Sequence, residues 1–132
     1  MLNSQASAAT MSSLLDAVSA ANTAAATRGS GKWLDVRPYD GEILVIQQVG
    51  VLGGTTPAIA GKLQSATDAN GTGAADISGA TFTSVNASNN TQSLAIDPRK
   101  VTGGFLGYVG TITGTTPTVL VSVVAGGKKK IV

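Results

Sequence analysis

Val49-Gly50-Val51-Leu52-Gly53-Gly54-Thr55-Thr56-Pro57 recurs as Val109-Gly110-Thr111-Ile112-Thr113-Gly114-Thr115-Thr116-Pro117, an offset of 109 − 49 = 60 positions with six of nine residues identical. In each copy an apolar strand runs into Gly-Thr-Thr-Pro and a second apolar strand leaves it. Glycine supplies any positive φ the bend demands; proline has no donor and fixes φ at the start of the outgoing strand. A solenoid needs at least three repeats, and only two are visible. The expectation is therefore a sandwich of two similar halves, each presenting an equivalent hairpin at one end.

Working outward, runs of strand length alternate with Gly, Asn, Asp and Pro clusters, the all-β pattern. Strands are expected near Trp33 to Arg37, Ile43 to Leu52, Ala58 to Ser65, Ala80 to Val85, Gln92 to Ile96, Gly104 to Thr113 and Thr118 to Ala125. Val119, Val121 and Val123 share one face, as do Ile59 and Leu63, with Lys62 and Gln64 opposite. Ile43 to Ile46 is continuously apolar, which suits a strand covered on both sides. Together these predict an all-β fold, an antiparallel two-layer β-sandwich with jelly-roll-like character.

Residues 1–31 differ. They are rich in Ala, Ser, Asn and Thr, with Asp16 and Arg28 their only charged side chains. This segment reads as an N-terminal arm, extended or partly helical, ahead of a β-sandwich domain over 32–132. Met11, Leu14, Leu15, Val18 and Ala21 fall at helical spacing, and a short helix from Ser12 to Ala24 is one expectation, although helices of that length are marginal alone in water. Arg28 to Gly31 reads as the linker.

Composition narrows the chemistry. The 132 residues contain no His and no Cys, which removes the commonest general base, the thiol nucleophile, disulfides and nearly every zinc-ligand set. Lys plus Arg exceed Asp plus Glu by 9 to 7, a net charge of +2, and Lys128, Lys129 and Lys130 supply three of the cations. No basic face with interleaved aromatics remains for nucleic acid. No stretch approaches the roughly 20 apolar residues of a membrane helix, and no secretory signal pattern is present; a soluble chain with no membrane partner is expected.

The carboxylates offer no acid/base pair by spacing. Asp40 and Glu42 bracket Gly41 in what reads as a turn. Asp68-Ala69-Asn70-Gly71-Thr72-Gly73-Ala74-Ala75-Asp76 has oxygen side chains at positions one, three, five and nine of a calcium loop, but Gly79 stands where the bidentate Glu belongs. A polar hairpin loop accounts for it better. No Ser-x-x-Lys or Gly-x-Ser-x-Gly nucleophile motif occurs, and the glycine-rich stretches lack phosphate-cradle spacing. The expectation is a chain that is not an enzyme, with no catalytic, cofactor-binding or metal residues and no cofactor.

Leu34-Asp35-Val36-Arg37-Pro38-Tyr39-Asp40-Gly41, the first Gly-Thr-Thr-Pro, Lys62-Leu63-Gln64-Ser65, Asp76-Ile77-Ser78-Gly79-Ala80-Thr81-Phe82 and the second Gly-Thr-Thr-Pro with Val121-Ser122-Val123-Val124 follow one another in an order that resembles small β-sandwich proteins among tailed-bacteriophage structural genes. Members of that group are capsid decoration, or cement, proteins. The resemblance covers about residues 32–130; the arm has no counterpart. Lys100 to Tyr108 departs from it, with glycines where relatives carry a basic and aromatic strand. What the resemblance implies is a structural virion protein on the capsid surface, made in the host bacterial cytoplasm. It would form a small homo-oligomer, a homotrimer by preference, and bind the major capsid protein. The alternative from another class is a sugar-binding or host-attachment module of a fibre or tail, which requires Trp33, Phe105 and Tyr108 to cluster exposed.

Overall fold

The computed structural model describes residues 9–21, 24–26 and 33–129. Among these residues seven strands form one antiparallel sheet: β1 (Ala9–Ala21), β2 (Ala24–Ala26), β3 (Leu34–Asp35), β4 (Tyr39–Ala66), β5 (Ala75–Thr81), β6 (Asn90–Ile96) and β7 (Phe105–Lys129). A 3₁₀ turn, Pro98–Lys100, is capped by the Asp97 carboxylate, which accepts from the Arg99 N–H. The fold is all-β, as the alternation of apolar and polar residues requires.

β4 and β7 pair along almost their whole lengths, from Tyr39 opposite Lys129 to Ala66 opposite Phe105. This corrects the expectation of two separate hairpins. Residues 43–53 do not pair with 58–66, nor 105–113 with 118–129; each Gly-Thr-Thr-Pro is a bend within one strand, and the two bends face each other with Thr55 opposite Thr115. Gly54 has φ +97°, and a Cβ there would lie 2.5 Å from the Thr116 carbonyl oxygen; Gly114 has φ +127°, and its Cβ would lie 2.9 Å from the Thr56 carbonyl oxygen. Each glycine thus lets the other copy's backbone approach.

At the bends the ribbon folds over on itself in a jelly-roll-like wrap. Gln47 and Gly61 are 14 residues apart in β4, a separation of about 46 Å in a straight strand. Yet a Cβ on Gly61 would collide with both Gln47 Oε1 and the Tyr108 hydroxyl. One half of the ribbon therefore covers the other. Layer A comprises β1, residues 118–129, residues 39–53 and β6; layer B comprises β2 and β3, residues 105–113, residues 58–66 and β5.

The folded ribbon has an approximate two-fold axis between Thr55 and Thr115 that relates the two copies of the repeat. Leu34 and Leu94, also 60 apart, sit on equivalent flanking strands, with Leu34 opposite Leu106 and Leu94 opposite Val45. β5 flanks the second half of β4 as β1 flanks the second half of β7. Residues whose side chains point between the layers form one cluster: Ile43, Val45, Val49, Ile59, Leu63, Leu106, Ile112, Val119, Val121 and Val123 are all buried. Phe82 and Tyr108 join it with ring centroids 6.2 Å apart and tilted by 58°.

The helical expectation for the arm is overturned: residues 9–21 are a strand along β7, from Ala9 opposite Lys128 to Ala21 opposite Thr118. The edge of β7 offers a row of unpaired N–H and C=O groups, which a marginal helix cannot satisfy. A register shift between Ser13 and Leu15 turns the chain so that the consecutive Leu14 and Leu15 are both buried. The expected linker, Arg28 to Gly31, and Lys130 of the lysine run lie outside the described residues.

Candidate docking surfaces

The candidates singled out by chemistry do not converge. Asp40 and Glu42 are exposed around Gly41, whose φ of +80° falls at the register shift in β4 between Asp40 and Leu44. The calcium-like loop spends its carboxylates elsewhere. Asp68 Oδ1 accepts from the backbone N–H groups of Asn70 at 2.9 Å and Thr72 at 3.1 Å. Asp76 accepts from Lys62 Nζ at 3.0 Å and Gln64 Nε2 at 2.8 Å, and those hydrogen bonds, Gln64's foremost, hold its carboxyl below the usual aspartate range. Among the described residues no three of His, Cys, Asp and Glu gather into a metal-binding group, and no helix is long and apolar enough to cross a membrane.

The rings that a sugar platform needs are committed to packing. Tyr108 is fully buried, and burial raises its hydroxyl pKa. Trp33 lies over Gly107 and beside Gly71, where any Cβ would strike the indole. Phe105 is capped by the Arg37 guanidinium, 5.1 Å from the ring centroid. These placements count against the attachment-module alternative.

Two Asp-x-Arg pairs mark the end of the sandwich away from the bends. Arg37 binds Asp35 with Nη2 to Oδ2 at 2.9 Å, and Arg99 binds Asp97 at 2.8 Å. Both guanidiniums border a cleft shared by residues 36–42 and 97–104. In each pair the arginine lowers its aspartate's pKa by hydrogen bonding, so these four charges are paired within their own loops, while Asp40 and Glu42 also line the cleft.

What distinguishes the molecule is the difference between its two outer faces. Across layer A three neighbouring outward rows, Ala95-Leu44-Gly126, Ser93-Ile46-Val124 and Thr91-Gln48-Ser122, carry no charge; Asp40, Glu42 and Lys128 stand beyond them at one end of the same strands. Leu120, 43% exposed, lies against Gly50 at the end of this face, and Val51, 64% exposed, bulges beside it; among the described residues they are the two large apolar side chains most open to solvent. Layer B, built from the same repeat, instead carries the Lys62-Asp76-Gln64 network, the Arg37-Phe105 stack and the Trp33 ring. Sequence reasoning missed this contrast because outward residues of both layers are polar or aliphatic in alternation, and only the pairing says which of them are neighbours.

A third surface is the ridge formed by the paired bends. Thr55, Thr56, Thr115 and Thr116 are all exposed there, and no charged residue lies in either Gly-Thr-Thr-Pro. Thr56 has φ +48° and Thr116 φ +45°, a region that β-branched residues avoid and that costs about 1–3 kcal/mol per residue. Thr116 Oγ1 donates back to the Thr115 carbonyl at 2.8 Å. Comparison with protein-family models and with curated proteins finds no match for the chain.

Proposed function

We propose that this chain is a capsid decoration protein of a tailed bacteriophage, a structural protein rather than an enzyme, that binds the outside of the assembled head and stabilises it. The observation that carries the reading is the band of three neighbouring outward rows across layer A that carries no charge. A solvated sheet face normally carries charges, as layer B does, whereas the centre of a protein interface is depleted in them. The ordered motifs that resemble phage decoration proteins supply the class of partner. In this reading the protein forms a small symmetric oligomer, a homotrimer, and lies across neighbouring subunits of the major capsid protein on the virion surface.

The mechanism is mass action. A protein that binds the assembled shell but not free subunits favours the intact shell, by about 2.7 kcal/mol per site at a hundredfold excess over Kd. The test is co-sedimentation of the purified protein with expanded, undecorated heads. Saturable binding, accompanied by a higher temperature of head disruption, is the expected result; protein left wholly in the supernatant would overturn the reading.

A further inference from the structure

The two copies of the repeat have drifted far apart. Between residues 33–68 and 93–128, identity outside the nine-residue unit is confined to Leu34 with Leu94 and Pro38 with Pro98. Gly-Thr-Thr-Pro is nevertheless intact in both. Its glycines have a reason in the fold: positive φ, and no room for a Cβ against the opposite bend. Its prolines open the outgoing halves of the strands, with Pro117 buried.

Two of the threonines have no such reason, although Thr55 and Thr115 pair across the strands. Thr56 and Thr116 occupy a left-handed conformation that glycine or asparagine adopts more easily. Their side chains are exposed, as are those of Thr55 and Thr115. A strained residue retained twice, in the part of the molecule that lies on the pseudo-two-fold axis, points away from folding and toward contact.

We propose that these four threonines form a docking ridge whose partner is a two-fold-related pair of capsid subunits; the proposal rests on the decoration reading and names the site through which it works. The ridge presents the same hydroxyl-and-methyl pattern twice, exchanged by the axis between Thr55 and Thr115. A surface that matches both halves at once carries a two-fold axis itself, as a local dyad of a capsid lattice does. Because the ridge has no charge, the matching surface is composed of backbone and small neutral groups, and the contact is insensitive to salt. Three dyads surround each local three-fold axis of such a lattice, so a trimer centred there can place one ridge on each.

The test compares wild-type protein with Thr56→Asn, Thr116→Asn and the double variant in binding to undecorated heads, with melting temperatures measured alongside. Asparagine tolerates the backbone angle, so the variants keep or raise the melting temperature. Each single variant weakens binding by a similar factor, the double by at least tenfold, and Thr102→Asn at the far end of the sandwich has no effect. Thr55→Val with Thr115→Val, which keeps shape and removes hydroxyls, also weakens binding. Double variants that bind within twofold of wild type would overturn the ridge while leaving the decoration reading intact, as would a sharp fall in melting temperature with asparagine, or an image of decorated heads with the bends away from the local dyads. Wild-type protein that fails to bind heads removes both proposals.

Discussion

Tyr108 donates a hydrogen bond of 2.5 Å to Gln47 Oε1, joining layer B to layer A between residues 61 apart in the chain. Gln47 Nε2 is buried and has no hydrogen-bond partner among the described residues. The contact is thus half-satisfied, in a core filled mostly by aliphatic side chains with Phe82 and Tyr39. Tyr108→Phe leaves Gln47 Oε1 unpaired and is expected to cost about 1–3 kcal/mol. Gln47→Leu in the Tyr108→Phe background removes the orphaned amide and recovers much of that loss. Urea unfolding of the two single variants and the double measures the coupling; strictly additive effects would refute it.

Trp33 is the chain's single tryptophan and lies on Gly107. Gly107→Ala pushes a methyl group into the indole and lifts the ring into solvent. The expected result is a red-shifted fluorescence emission with a loss of about 1–3 kcal/mol from overpacking. An unchanged emission maximum would show that the ring does not lie there.

Leu14 is 1% exposed in a strand that closes the edge of layer A. Leu14→Ala is expected to cost about 2–5 kcal/mol. Deleting residues 1–31 removes both buried leucines and leaves the edge of β7 open, so the shortened protein is expected to melt earlier and to self-associate. Equal melting curves for full-length and shortened protein would instead show that the arm contributes nothing to the fold.

Asp35, Asp68, Asp76 and Asp97 are all held below their ordinary value of 3.8, by hydrogen bonds from Arg37, Thr72, Gln64 and Arg99 respectively. A carboxyl whose folded pKa is depressed contributes stability that is complete above its unfolded pKa and lost as pH falls through the folded one. The melting temperature is therefore expected to be level from pH 7 to about 5 and to fall below about 4. Asp76→Asn removes part of that fall. The effect is small because these groups are exposed or half-exposed, and added salt reduces the part due to ion pairs.

The sequence carried the strand content because alternation reports burial directly: Val119, Val121 and Val123 face the core, and Leu120 and Ser122 face out, as their spacing requires. The missing His and Cys were also plain from composition. The twin Gly-Thr-Thr-Pro units revealed a duplication, but their reading as two hairpins failed because a Gly-rich bend fixes local direction without saying which strand lies alongside. The same limit hid the arm, whose leucines fit a helical stripe until the open edge of β7 gave them a better partner.

By itself, then, the sequence determined an all-β chain of two related halves with one repeated bend, since backbone preference and apolar periodicity are local properties. Only the tertiary structure decided that the two bends pair across a pseudo-two-fold axis, that Gln47 meets Tyr108, and that three outward rows without charge lie side by side on layer A. Those outcomes depend on contacts between residues about 50 to 80 positions apart, such as Thr55 with Thr115, Gln47 with Tyr108 and Leu44 with Gly126. Such pairings are selected by the joint burial of both layers, which no local stretch encodes.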